Sequence, residues 1–242
     1  MFRSVGQDHG AGIAIGRRVF LGMAGLGVLG VVFGSKVQRV VGDALSPLTS
    51  GGGGLASILP GADGFRIYSV SSTLPSISTS RYRLRVDGLV DHPMVLTFAD
   101  LQSMPHTSLV RDFQCVTGWR VPDVHWAGVR LSGILGAAGV QPAARALTFE
   151  SYDGTDFESL TLDQAGRPDV IVADRMLGGP VTSEHGGPVR LFVAPMYGYK
   201  SLKWLSAIHV VDRVSPGFWE QNGYDVDAWV GSSNGRSDER TS

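Results

Sequence analysis

Glu184-His185-Gly186-Gly187-Pro188-Val189-Arg190-Leu191-Phe192-Val193-Ala194-Pro195-Met196-Tyr197-Gly198-Tyr199-Lys200-Ser201-Leu202-Lys203-Trp204-Leu205 is the most informative stretch of this 242-residue chain. Val189 to Ala194 is apolar enough for a central strand, which runs out into a loop bearing Pro195 and Gly198. Three cations, Arg190, Lys200 and Lys203, sit on this strand and loop together with Ser201. Cations, a hydroxyl and free backbone N–H groups presented together suit an anion, most simply a phosphate. Basic residues at a strand end often just face water, but the Tyr, Gly and Pro residues packed between these cations favour a shaped pocket.

The second stretch is Val110-Arg111-Asp112-Phe113-Gln114-Cys115-Val116-Thr117-Gly118-Trp119-Arg120, which holds the single cysteine. A lone cysteine is ordinarily a small buried hydrophobe, but the neighbours of Cys115 are polar. Arg111 lies four residues back, on the same face if the segment is a strand, and Arg120 lies just past a Gly turn; both are placed to stabilise a thiolate. One thiolate suffices as a protein ligand for a transition metal when a cofactor completes the coordination sphere. With one cysteine the chain cannot form an internal disulfide, a thiolate zinc cluster, an iron–sulfur centre or a CxxCH haem attachment.

Composition narrows the class further. The 21 basic and 22 acidic residues nearly cancel, and charged residues are 18% against a typical ~25%, which argues against a nucleic-acid binder. At 43% hydrophobic the chain is not disordered. Arg17-Arg18-Val19-Phe20-Leu21 opens an uncharged run to Ser35 and resembles a twin-arginine export signal, with an N-terminal membrane anchor as the alternative for residues 1–44. Gly25 to Gly30 matches GxGxxG, but it follows the Arg pair instead of a strand, so a dinucleotide site is not expected. Residues 45–64, with Gly51 to Gly54, read as a linker, 65–231 as the folded domain and 232–242 as a polar tail. Without residues 1–44, 16 basic and 20 acidic residues remain, a net charge of −4.

The body divides into short apolar alternations separated by Gly, Pro and Asp, so the expected class is α+β, strand-rich, with mixed sheets and short helices. Tyr82, Leu84 and Val86 alternate with arginines in a half-buried strand ended by Asp87-Gly88. Thr97 with Asp100 caps a brief helix stopped by Pro105, and Leu131 to Gly139 is a second helix with a glycine stop. Ala146 to Phe149 and Phe157 to Leu160 form a hairpin across Asp153-Gly154, and Val170 to Ala173 and Ile208 to Val211 are central strands.

Taken together, His-Gly-x-Pro-x-Arg at His185 to Arg190, Gly-x-Lys-Ser-Leu-Lys-Trp at Gly198 to Trp204, Phe-Gln-Cys with the downstream Trp126-Ala127-Gly128-Val129, and Tyr82 to Val90 resemble the sulfite oxidase-like molybdopterin fold, most closely its single-domain bacterial branch. That branch includes periplasmic methionine sulfoxide reductase catalytic subunits. The resemblance implies Cys115 as the catalytic thiolate on molybdenum, His185 and Arg190 against the pyranopterin and its phosphate, and Ser201, Leu202 and Lys203 completing the phosphate cradle. It implies Ser151, Tyr68 and Ser69 as further cofactor contacts, and molybdopterin without an appended nucleotide. The chain has His185 where the reductases usually have Asn, and it lacks the Asn-Arg-Arg that follows the cysteine in animal and plant sulfite oxidases.

The activity implied by the resemblance is oxygen-atom transfer, with electrons exchanged through a partner such as a membrane haem protein or cytochrome. Reduction of S- or N-oxides is expected, with Trp119, Trp126, Phe113 and the segment around Trp219, Tyr224 and Trp229 as apolar walls. Sulfite oxidation, which needs converging cations such as Arg111 and Arg120, and a metal-free, envelope-tethered binding domain are the alternatives. A Ser-His-Asp hydrolase is disfavoured because no GxSxG elbow occurs. The protein is expected to be an exported monomer.

Overall fold

The computed structural model describes residues 64–68, 70 and 74–231. Strand β1 (Arg83–Gly88) buries Leu84 and Val86 and leaves Arg83 and Arg85 outside, as its alternation requires. It pairs antiparallel with β2 (Met94–Thr97) and parallel with β10 (Leu205–Val211). Antiparallel β5 (Ala146–Ser151) and β6 (Phe157–Thr161) follow, giving a mixed sheet in the order β2-β1-β10-β5-β6.

The second sheet is built on a long hairpin, β3 (His106–Gln114) and β4 (Arg120–Arg130), whose connecting turn contains Cys115. β4 pairs with β7 (Val170–Met176), and the far edge of β7 is shared by β8 (Gly179–Pro180) and β9 (Arg190–Val193). Helices are short: α1 (Phe98–Ser103) starts with the Thr97–Asp100 capping box, and α2 (Leu131–Ala138) ends on left-handed Gly139. α3 (Leu162–Ala165) and α4 (Phe218–Gln221) are single turns. Buried faces of both sheets join in one core that includes Leu84, Ile134, Phe149, Val172, Leu191 and Ile208.

The segment between β9 and β10 crosses from the second sheet to the first and folds back on its own approach. The Leu191 N–H donates to the Leu202 carbonyl (2.9 Å), Trp204 N–H to Gly186 (2.9 Å) and Leu205 N–H to Val189 (3.1 Å). The motif is therefore a closed double strap between the sheets.

One polar cluster ties α1, β3 and β7. Asp174, 2% exposed, accepts from Gln102 and faces His106 Nε2 at 2.9 Å, while His106 Nδ1 faces the Met104 carbonyl at 2.9 Å. Burial works against the charge on His106, yet the hydrogen bonds to Asp174 and Met104 outweigh it and hold the ring above the usual histidine range. A raised folded-state pKa stabilises the fold most at low pH, and that stabilisation is lost as pH rises through it. His106→Gln should therefore lower Tm at pH 5.5 by ~2–4 °C, equivalent to about 1 kcal/mol, and by less at pH 8.5. Equal losses at both pH values in thermal melts would contradict this.

Candidate functional site

Arg190 opens β9 and is 2% exposed. Its Nη1 donates to the His185 carbonyl (2.7 Å) and Nη2 to the Ser201 carbonyl (2.8 Å), so it clamps the two arms of the strap. Its guanidinium also lies over the rings of Phe113 (5.6 Å) and Trp126 (5.5 Å). Among the described residues its hydrogen-bond partners are backbone carbonyls, not a carboxylate, and burial alone pulls it down to about 9. It remains cationic at neutral pH.

Lys203 reaches back under the other arm, donating Nζ to the carbonyls of Tyr68 (2.8 Å) and Glu184 (3.0 Å). Burial pulls the ammonium down to about 7; Arg190 adds to this, and Asp156 and Glu184 oppose it. Asp156, on the β5–β6 turn, has a buried Oδ1 with no hydrogen-bond partner, and burial pushes its carboxyl up to about 7, with Asp153 and Glu220 adding to the shift and Lys203 opposing it. Below about pH 7 the locality thus holds two cations and a neutral acid.

Two glycines let the strap close. Gly186 sits at φ +95° with an ideal Cβ only 2.6 Å from Lys203 Cβ, and a Cβ on Gly198 would lie 2.4 Å from the Phe113 ring. Phe113, at the end of β3, thereby touches the strap on one side and stacks on Trp119 (5.8 Å) on the other. It joins the cation centre to the Cys115 turn.

That turn is closed by Cys115 N–H to the Trp119 carbonyl (2.9 Å) and Gly118 N–H to the Cys115 carbonyl (3.0 Å). Cys115 is partly exposed, and its Sγ lies 3.2 Å from the Thr117 hydroxyl. Both arginines expected to support a thiolate have partners elsewhere. Arg120 pairs with Asp112 (3.1 Å), whose other oxygen holds the Asp123 N–H in the β4 bulge, and Arg111 donates to the Val110 carbonyl.

The structure brings Cys115, Phe113, Trp119, Tyr68, His185, Arg190, Ser201, Leu202 and Lys203 into one connected region. Ser201 Oγ accepts from the Val193 N–H (3.0 Å) and keeps its own proton to donate. Ser151 is buried at the end of β5, and its hydroxyl binds Asp153 and the Asp156 carbonyl, shaping the turn that carries Asp156. Ser69 lies outside the described residues.

Lys200 departs from the expectation that it faces an anion with the other two cations: it is fully buried and held by Glu158 (2.5 Å) and Glu220 (2.6 Å). Trp126 stacks on Phe192 (4.0 Å), whereas Trp219 and Tyr224 pack in another group with Phe218 and Tyr199. Sequence reasoning missed Thr117 and Asp156, which no local motif marks.

Because Lys203 loses charge and Asp156 gains it as pH rises through about 7, anion affinity should fall across that range. Sulfate, a dianion throughout, should bind the cofactor-free chain about tenfold more tightly at pH 6 than at pH 8.5, which is about 1.4 kcal/mol. Asp156→Asn should narrow the difference; calorimetric titration showing no pH dependence would contradict this electrostatic picture.

Comparison with known proteins agrees with this geometry. Residues 71–219 match the oxidoreductase molybdopterin binding domain family. The uncharacterized oxidoreductase YuiH of Bacillus subtilis (strain 168) is 39% identical over 152 residues, covering 62% of this chain and 76% of that protein. The sulfite oxidase of Arabidopsis thaliana is 29% identical, covering 60% of this chain and 46% of the relative. The protein-methionine-sulfoxide reductase catalytic subunit of Ralstonia nicotianae is also 29% identical, covering 57% and 46%. The solved structure of the sulfane dehydrogenase SoxCD from Paracoccus pantotrophus superposes with a TM-score of 0.56 at 28% identity, covering 59% of this chain and 41% of that one. The chain thus spans three quarters of the Bacillus protein but less than half of these other relatives. With a strand-rich fold of mixed sheets and the family matched over most of that fold, this chain belongs to the oxidoreductase molybdopterin-binding domain family and is a molybdopterin-dependent oxidoreductase of the sulfite oxidase-like kind.

Proposed function

We propose that the chain holds a nucleotide-free molybdenum cofactor with Cys115 as the protein's metal ligand, and that it reduces small S- or N-oxides such as methionine sulfoxide. The residues fit that group at both ends. A soft, partly exposed thiol lies at one end, suited to a transition metal. At the other, buried Arg190 and half-buried Lys203 are cations whose hydrogen bonds go to carbonyls, suited to a phosphate. When bound, the cofactor supplies a two-electron centre that gives or takes one oxygen atom.

The chain's own residues divide the remaining work. Cys115 would fix the metal end, and Lys203 and Ser201 would take the phosphate with ammonium and hydroxyl. Arg190 supplies positive charge from beneath while setting the spacing between His185 and Ser201. Phe113 and Trp119 would exclude water on one side of the thiol, and Tyr68 stacks on Trp119 (6.4 Å) to extend that wall. Reduction of a sulfoxide consumes two electrons and two protons and releases a sulfide and water. The electrons would come from a membrane haem protein or cytochrome, since the chain has none of the usual haem-attachment or cluster ligation.

The observation that carries the reducing direction is the wall beside Cys115. It is aromatic, and of the two flanking cations Arg120 is neutralised by Asp112 while Arg111 donates to the Val110 carbonyl. A neutral oxide asks for donors and an apolar wall, whereas a sulfite dianion needs uncommitted converging cations to offset several kcal/mol of desolvation. Sulfite oxidation is the second reading, favoured by the sulfite oxidase among the relatives.

We also place the folded domain outside the cytoplasmic membrane as a monomer, sent there by the Arg17–Arg18 segment, which lies outside the described residues. No helix among the described residues is long and apolar enough to cross a membrane. Fractionation of an Arg17→Lys/Arg18→Lys chain should find the protein retained in the cytoplasm; normal export would overturn that placement.

The deciding assay gives the full chain an artificial electron donor with methionine sulfoxide, and separately ferricyanide with sulfite. Sulfoxide turnover should dominate, and Cys115→Ser should reduce it by at least ~100-fold, because a hard hydroxyl is a poor replacement for a soft thiolate. Rapid sulfite oxidation without sulfoxide turnover would reverse the order of the two readings, and full activity in Cys115→Ser would remove Cys115 from the metal.

A further inference from the structure

Lys200 closes the 3-10 turn Gly198–Lys200 and immediately precedes Ser201. Its ammonium is fully buried and binds Glu158 Oε1 on β6 (2.5 Å) and Glu220 Oε1 on α4 (2.6 Å), so segments far apart in sequence meet on one nitrogen. Glu158 Oε1 also accepts the Ser159 N–H (2.6 Å), while Oε2 of each glutamate is buried without a hydrogen-bond partner. Burial holds Glu158 well above the ordinary carboxylate range; Lys200 opposes this and Glu220 adds to it.

Two carboxylates around one ammonium make a poor device for stability. Apolar side chains of similar volume would hold these three segments together as well or better, because the desolvation of three ions consumes most of their attraction. What the hydrogen bonds add is direction: two acceptors fix the Lys200 nitrogen, and with it the backbone leading into Ser201. From there the strap is fully determined, since the Ser201 carbonyl takes Arg190, the Leu202 carbonyl takes Leu191, and Trp204 is held at φ +55°, a left-handed conformation that a bulky residue does not adopt unforced.

We infer that Glu158, Lys200 and Glu220 act together as a positioning device for the Ser201–Lys203 turn, so that their hydrogen bonding, not their charge, governs how long the cofactor stays bound. The inference rests on the reading of that turn as the phosphate cradle. Lys200 is then a positioning residue two steps removed from the chemistry, and the Glu220 contact makes the C-terminal α4 part of the site's support.

A matched pair of substitutions separates this role from bulk stability. Glu220→Gln and Glu220→Leu remove the same charge, but only Gln can still accept from Lys200. Full-length protein carrying its cofactor is dialysed, and molybdenum and pterin remaining per chain are followed in time, with Tm of each cofactor-free variant measured alongside. Glu220→Leu should lose cofactor about tenfold faster or more, the range seen when an outer support of a metal site is removed, and faster than the Tm drop from its unpaired Lys200 N–H accounts for. Glu220→Gln should release at the wild-type rate. Glu158→Gln and Glu158→Leu repeat the comparison from β6 should Glu220→Leu fail to fold. Equal release from the Gln and Leu variants, or release that only follows Tm, would overturn the inference alone. A wild-type chain that carries no pterin would remove the cradle reading and this inference with it.

Discussion

A guanidinium buried among carbonyls and ring faces, with no carboxylate bonded to it among the described residues, is the constraint on which the site's architecture depends. Taking such an ion out of water costs several kcal/mol even after relaxation, so its N–H groups must find acceptors. Arg190 uses them on His185 and Ser201, which locks the arms of the strap at a fixed separation, and the rings of Phe113 and Trp126 take the remaining faces. The charge itself is left unneutralised. A fold that keeps a buried positive field at one point, next to a second, half-buried cation, is preorganised for an anion to complete it.

Three cations of one strand and loop meet three different fates, decided by what the rest of the chain places opposite them. Lys200 meets Glu158 and Glu220 and becomes part of the frame. Lys203 meets two carbonyls and the distant field of Asp156, and stays poised near neutrality. Arg190 meets carbonyls and ring faces and remains charged. The same division holds at the thiol end, where Arg120 is taken by Asp112 and the aromatic side chains are left to shape the space. The binding chemistry of the site is thus the remainder after structural pairing, which is why counting basic residues in the motif overstates it.

Much of the fold was legible because local physics dictated it. The alternation at Leu84 and Val86, the Thr97–Asp100 box, the Gly139 stop and the hairpin across Asp153-Gly154 each rest on a few adjacent residues, and each is present. The β3–β4 hairpin was harder to read, since its strands are half-exposed and polar near the turn and β4 contains Pro122 and a bulge at Asp123. Of the site, Cys115, His185, Arg190 and the Ser201–Lys203 turn stood out because unusual residue types cluster there. The fate of Lys200 did not, because its partners lie 42 and 20 residues away. Asp156 carries no motif and gains its character mainly from burial.

Whether the strap and the Cys115 turn together hold a molybdenum-bearing pterin is tested most directly by elemental and pterin analysis of the full chain purified from a molybdenum-replete host. Close to one molybdenum and one pterin per chain is the predicted result, with phosphate present and no nucleotide. A well-folded chain that carries neither metal nor pterin under those conditions, or that carries zinc in their place, would contradict it.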